Sequence, residues 1–250
     1  MSIVAEGPAL ARGPTAPLPA GRDLWLRVAS AIVLAPLAIA AAYVGGTWFI
    51  GFWLLAAAGI LWEWMGLVGA ASSLAGPARA GWITLGACYA GAMLAAPVVI
   101  RADDALGFIA MIFLFAVVWA TDVAAYFAGR IVGGPKLWPA ISPKKTWSGA
   151  VAGAVAGTAA GWAVAAAGGI EPIAPIFAVG FLLSVAAQFG DLFESALKRR
   201  FGVKDASHVI PGHGGLMDRL DGFLAAAVAA ALVGGARDGL DGAAGGFLLW

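Results

Sequence analysis

The chain has 250 residues, of which 62% are hydrophobic and only 12% charged, with a net charge of +1. A soluble domain is about 45–50% apolar and about 25% charged, so this composition excludes a soluble globular enzyme, a disordered protein and a conventional nucleic-acid-binding protein. A polytopic membrane protein remains, and a single cysteine, Cys88, excludes an internal disulfide and a cysteine-rich metal site.

Residues 1–24 are rich in Pro, Ala and Gly in their first 20 positions and read as a disordered cytoplasmic tail. The apolar run that follows Arg27 is too long for a signal core, so the tail is not a cleavable signal. Residues 25–250 then read as one transmembrane domain. Residues 28–62 carry no charge, too long a run for one helix and long enough for two, with a break at Gly45-Gly46. A span needs about 20 apolar residues. On that measure the uncharged intervals predict seven helices, at about 25–44, 47–68, 80–100, 105–127, 147–168, 173–194 and 216–236. The fold class is therefore an all-α transmembrane bundle of seven spans, with room for up to nine membrane elements where an interval hides a broken helix. Gly239–Trp250 is expected to form a short interfacial helix.

Lys and Arg set the orientation. With the N-terminus inside, the tail and the loops at 69–79, 128–146 and 195–219 carry 13 of the 15 basic residues, leaving only Arg101 and Arg237 outside. Basic inner loops have an ordinary topological meaning, but acids gather beside them. Asp122 lies near the inner end of the fourth helix, Asp191 and Glu194 close the sixth, and Asp218 and Asp221 open the seventh. A carboxylate within a span costs about 2.5–3.5 kcal/mol, and such residues usually line a functional site. Asp191, Glu194, Ser195 and Lys198 share one helix face, as do Asp218 and Asp221. Carboxylate oxygens without histidine or cysteine partners suit Mg²⁺; simple pairing with Arg199, Arg200 and Arg219 is the plainer alternative.

Ser142-Pro143 reads as an N-cap followed by a first-turn proline for the fifth helix. Lys144 and Lys145 would then oppose the helix dipole by about 0.3–1 kcal/mol each, a penalty that a bound anion or anionic lipid heads would relieve. Pro211-Gly212-His213-Gly214-Gly215 leads into the seventh helix, whose N-terminus favours phosphate. No P-loop or dinucleotide fingerprint is present. His213 is expected to contact phosphate, His208 is left unassigned, and Glu63, between Trp62 and Trp64, reads as a buried structural residue.

The stretch 195–221, SALKRRFGVKDASHVIPGHGGLMDRLD, resembles the signature of the phosphatidate cytidylyltransferases, the CDP-diacylglycerol synthases. The fixed positions are Ser195, Lys198, Arg199, Lys204, Asp205, Pro211, His213, Gly214, Gly215, Asp218, Arg219 and Asp221. Asp122–Arg130, Ser142–Trp147 and Trp62-Glu63-Trp64 also look like that family, and the similarity runs in order over about residues 25–236. Ser148 departs from it, standing where the family has glutamate, so no acid role is placed near Trp147.

The resemblance implies that CTP and phosphatidate give CDP-diacylglycerol and pyrophosphate. It implies Asp191, Asp218 and Asp221 as metal ligands for Mg²⁺, with room for a second cation such as K⁺. Asp191, Ser195, Lys198, Asp218 and Asp221 would form the catalytic set. Lys144, Lys145, Lys198, Arg199, Lys204, His213, Gly214, Gly215 and Arg219 would bind the triphosphate and the lipid head. Phosphatidate would enter from the inner leaflet of the cell's inner membrane, with the active site on the cytoplasmic side. A homodimer is implied as well, and helices rich in small residues permit close packing. The alternatives are a related CTP-dependent lipid kinase or transferase and, from another class, an anion transporter. The transporter would need midplane charges and an internal repeat, neither of which the sequence displays.

Overall fold

The structure is a computed structural model that describes residues 20–72, 74–171, 174–203, 206–207 and 214–250, with side chains from Ile32 onward. Seven long helices follow in chain order: α1 (Ala20–Val44), α2 (Gly46–Ala70), α3 (Gly76–Arg101), α4 (Gly107–Ile131), α5 (Trp147–Ala167), α6 (Ala174–Arg200) and α7 (Met217–Asp238). α2 to α7 are each long and apolar enough to cross a membrane, and α1 adds an apolar stretch, Ile32–Val44. The chain is an integral membrane bundle. α1 begins at Ala20, five residues before the expected start.

The α1–α2 break falls where the sequence placed it. Gly45 and Gly46 adopt φ of 67° and 53°, a region open to glycine and closed to most side chains. A Cβ at Gly45 would also stand 2.6 Å from the Arg101 guanidinium. Arg101 Nε donates to the Ala42 carbonyl at 2.7 Å, tying α3 to α1 at this end.

Three local expectations are corrected. First, the loop between α4 and α5 is a hairpin of β1 (Lys136–Trp138) and β2 (Ser142–Thr146), antiparallel, with Lys136 opposite Thr146 and Trp138 opposite Ser142. Second, α5 is capped by Thr146, not Ser142: Thr146 has φ −123° and ψ 157°, and its Oγ1 accepts from Gly149 N at 3.2 Å. Lys144 and Lys145 therefore lie on β2 and do not oppose a helix dipole. The Ser148 hydroxyl donates to the Gly133 carbonyl and joins the hairpin to α5. Third, the C-terminal helix α8 (Ala243–Leu248) is not interfacial. All six of its residues are buried, and Phe247 meets Phe113 edge-on at 6.0 Å. Asp103 Oδ2 accepts from Gly245 N at 3.1 Å. Arg237 donates to the Gly246 and Leu249 carbonyls and lies 3.6 Å from the Trp250 ring.

Small residues set the helix separations. The α5 face Gly149, Gly153, Gly157, Gly161 recurs every four residues against α4. A Cβ on Gly149 would stand 2.7 Å from the Ala125 carbonyl, and one on Gly153 2.9 Å from that of Thr121. Gly157 faces the Thr121 and Ser184 hydroxyls, themselves 2.6 Å apart, which join α4 to α6. Gly190 on α6 packs against the Asp221 carbonyl, and a Cβ on Gly222 of α7 would stand 3.2 Å from that of Ala187. α6 and α7 thus converge at the level of the site.

Gly157→Val should force α4, α5 and α6 apart and cost about 1–3 kcal/mol as overpacking, read as a lower melting temperature in detergent. Gly51→Ala is the comparison, since a Cβ there meets nothing within 4 Å; its melting temperature should stay the same or rise slightly.

Candidate active site

A cavity of about 1240 Å³ opens among α1, α2, α4, α6, α7 and the hairpin. Its lining includes the apolar side chains of Leu34, Leu37, Phe52, Trp53, Phe115, Trp119 and Phe223. Trp53 and Phe223 stack with centroids 4.8 Å apart. The same lining includes Asp122, Arg130, Lys136, Lys144, Lys145, Asp191, Ser195, Asp218, Arg219 and Asp221. A single space therefore joins an apolar wall to charges of both signs.

Asp191 and Ser195, one turn apart on α6, both face this cavity. Lys145 reaches from β2 to Asp191, Nζ to Oδ2 at 2.6 Å. Asp122 lies within charge range of Asp191, Lys145 and Arg219. Asp221, only 8% exposed, accepts from the Gly222 amide at 2.8 Å and feels the charges of Asp191, Glu194 and Asp122.

Lys198 and Arg199 do not line the cavity. Lys198 lies behind Asp218: its Nζ is 2.5 Å from Asp218 Oδ1 and 2.7 Å from Glu194 Oε1, one turn back on α6. Arg199 donates to the Ile141 carbonyl at 3.4 Å and ties the end of α6 to the hairpin. Asp218 Oδ2 accepts from Gly215 N at 2.7 Å and Ala206 N at 3.2 Å. Gly214 and Gly215 lie at the entry to α7. Lys204, Asp205, His208, Pro211 and His213 lie outside the described residues.

The start of α7 differs from the expected phosphate cradle. A helix N-terminus leaves its first amides without intrahelical partners. Here the Gly215 amide goes to Asp218, the Leu216 amide to Glu63 Oε1 and the Met217 amide to Glu63 Oε2, the last two at 2.7 Å each. The protein's own carboxylates hold these donors. Glu63, from α2, also accepts from the Ser207 hydroxyl at 2.5 Å. Each hydrogen bond to a charged group is worth about 1.5–3 kcal/mol, so three offset the cost of about 2.5–3.5 kcal/mol for a carboxylate inside a span. Glu63 is buried and structural, as expected, although it does not line the cavity; its partners on the α7 entry could not be read from its place as a lone carboxylate in the run from 28 to 78.

The oxygen-only donor set of Asp191, Asp218 and Asp221 has the chemistry Mg²⁺ prefers. Among the described residues, however, no three acidic, histidine or cysteine side chains are grouped so as to hold a metal ion. In this arrangement lysine ammonium groups sit on Asp191 and Asp218.

Lys198→Met should leave Glu194 and Asp218 facing each other without their shared cation. Breaking a buried pair costs about 3–5 kcal/mol, and adding Glu194→Gln should recover part of it. Lys145→Met removes a pair whose side chains are 30% and 25% exposed, and should cost less than about 1 kcal/mol. Thermal unfolding of the three variants in one detergent checks both statements.

Comparison with known proteins fits this geometry. The model of the cytidylyltransferase family matches residues 75–235. The chain is 46% identical over 162 residues to the phosphatidate cytidylyltransferase of Brucella suis biovar 1, covering 62% of this chain and 57% of that protein. It is 48% identical over 158 residues to the enzyme of the same name from Brucella melitensis biotype 1, with the same coverage. With the Bacillus subtilis enzyme of that name it shares 41% over 149 residues, or 58% of this chain and 54% of that one. The chain thus spans a little over half the length of these curated relatives. With the family model matching well over half of its residues, the chain belongs to the cytidylyltransferase family.

Proposed function

We propose that the chain is a phosphatidate cytidylyltransferase: the phosphatidate phosphate attacks the α-phosphorus of CTP and pyrophosphate leaves. One P–O bond forms, to the lipid phosphate oxygen, and one breaks, between the α-phosphorus and the bridging oxygen to the β-phosphorus. The observation that carries this reading is the single cavity that joins an apolar wall to the charged cluster at the meeting of α6, α7 and the hairpin. Such a space suits a molecule with acyl chains and a phosphate. The relatives, named for this activity, support the same reading.

A lipid phosphate is already an anionic nucleophile, so the protein's task is electrostatic: to bring two anions together and neutralise the departing pyrophosphate. Lys144, Lys145 and Arg219 face the cavity from the hairpin and α7, and they would hold phosphate oxygens. Ser195 offers a hydroxyl on the same face as Asp191. Lys204, His213 and Gly214 complete the proposed binding set, without Lys198 and Arg199, which do not line the cavity. The acyl chains would lie along Leu34, Leu37, Phe52 and Trp119 and enter between α1 and α4. Asp191, Asp218 and Asp221 are the residues that would hold Mg²⁺, which supplies charge neutralisation on the triphosphate when bound; a second cation such as K⁺ belongs to the same proposal. On the Lys/Arg asymmetry this end would face the cytoplasm, and the membrane would be the cell's inner membrane. Pairing of two chains is part of the family expectation carried here as a proposal.

Purified protein in mixed micelles with phosphatidate, labelled CTP and Mg²⁺ should move label into the lipid phase as CDP-diacylglycerol. Asp218→Asn should lower that rate on the order of 100–1000-fold, the range for removing one charge-stabilising group, and a chelator should abolish it in the wild type. Wild-type protein that binds CTP yet labels no lipid would defeat the proposal; a phosphorylated lipid without cytidine would point to the kinase.

A further inference from the structure

Glu63 does more than close a gap in the bundle. It is 2% exposed on a membrane helix, and among the described residues it accepts from Ser207 and from the amides of Leu216 and Met217. Asp218 grips the same two pieces through the amides of Ala206 and Gly215. Gly215 sits between the two carboxylates. A Cβ there would stand 2.9 Å from Asp218 Oδ2 and 2.9–3.0 Å from both Glu63 oxygens. The seat of Asp218 therefore depends on where Glu63 holds the entry to α7.

The neighbours of Glu63 divide the remaining work. Trp64 is buried, donates from Nε1 to the Trp82 carbonyl at 2.8 Å and fixes α2 to α3. Trp62 is 64% exposed on the outer face of the bundle. Glu63 is thus mounted on a rigid wall and points at the loop. Glutamate fits this position better than glutamine, because each described partner is a donor. A glutamine would turn one –NH₂ toward the amide of either Leu216 or Met217.

We propose that Glu63 is a positioning residue for the reaction, acting through Asp218: it fixes Ser207 and the α7 entry at Leu216 and Met217 so that Asp218 meets the substrates in one geometry. This rests on the cytidylyltransferase reading for its kinetic consequence, though not for its structural one.

The test uses the full chain in detergent micelles, with Glu63→Gln, Ser207→Ala, Gly215→Ala and, as comparison, Trp62→Leu. Glu63→Gln should lower kcat on the order of 100-fold, the penalty for about 1 Å of misplacement. KM for phosphatidate should change by less than about threefold, since the acyl wall is untouched. Trp62→Leu should keep the wild-type kcat. Amide exchange at Leu216 and Met217 should quicken in Glu63→Gln while α4 and α5 exchange as before. A folded Glu63→Gln with wild-type kcat overturns the proposal. So does unchanged exchange at Leu216 and Met217, which decides the matter even if the wild type fails to label lipid. Should Glu63→Gln not fold, Ser207→Ala and Gly215→Ala take its place. Lower kcat per folded molecule in both supports the proposal, and wild-type kcat in both overturns it.

Discussion

A carboxylate among apolar helices must be given donors, and the way this chain supplies them organises the end of the bundle that carries the charged cluster. Asp191 receives Lys145 from the hairpin, Asp218 receives Lys198 from α6, and Glu63 receives the first amides of α7. Each link crosses between two elements, over 20 positions for Lys198–Asp218 and over 153 for Glu63–Leu216. The electrostatic requirement is therefore also a folding instruction: β2 closes on α6, α6 on α7, and α7 on α2. Removing one partner leaves a charge without compensation, which costs more than the pair itself contributes. That asymmetry makes the charged end less tolerant of change than the apolar walls beneath it.

These links require close helices, and backbone approach comes from small residues. Gly190 and Gly222 let α6 and α7 touch within a turn of Asp191 and Asp221. The α5 glycines let α4 sit near enough for Thr121 to reach Ser184 across the bundle. In a bilayer, where lipid tails are as apolar as leucine, packing and hydrogen bonds of this kind carry helix association. The opposite end uses the same approach for another purpose. Gly234 and Gly246 bring α8 against α7, and Arg101 and Arg237, the two basic residues outside the inner set, bond carbonyls there.

The spans were legible because charge-free length is a strong signal: the seven long helices match the intervals, and α5 starts at Trp147 as expected. The break at Gly45-Gly46 was legible for a reason of conformation. The hairpin was not, because Ser142-Pro143 looks like a helix start until Thr146 proves the better cap and the preceding residues pair with β1. α8 was misplaced because six residues ending in aromatics look interfacial, and its burial depends on Asp103 and Phe113, more than a hundred positions away. In the site, the helix face of Asp191 and Ser195 could be read from spacing, whereas the position of Lys198 behind Asp218 could not. That depends on α7 bringing Asp218 across, which is tertiary information. Glu63 shows the same limit, since its partners lie 144 to 154 positions away.

The α1 helix completes the physical picture of the cavity. It is tied at its outer end, where Arg101 holds Ala42 and Tyr43 meets Phe108 at 5.6 Å. Farther in, Leu34 and Leu37 line the cavity while Ile32 and Val33 are exposed on the bundle surface. Leu34 and Leu37 flank Pro36, which breaks the hydrogen-bond ladder of α1 at that level. An amphiphile passing this wall would carry its phosphate toward Lys144, Lys145 and Arg219 while its chains stayed among leucines and aromatics. The charged cluster lies beside the ends of α6 and α7, where Asp191 and Asp218 already have lysine partners.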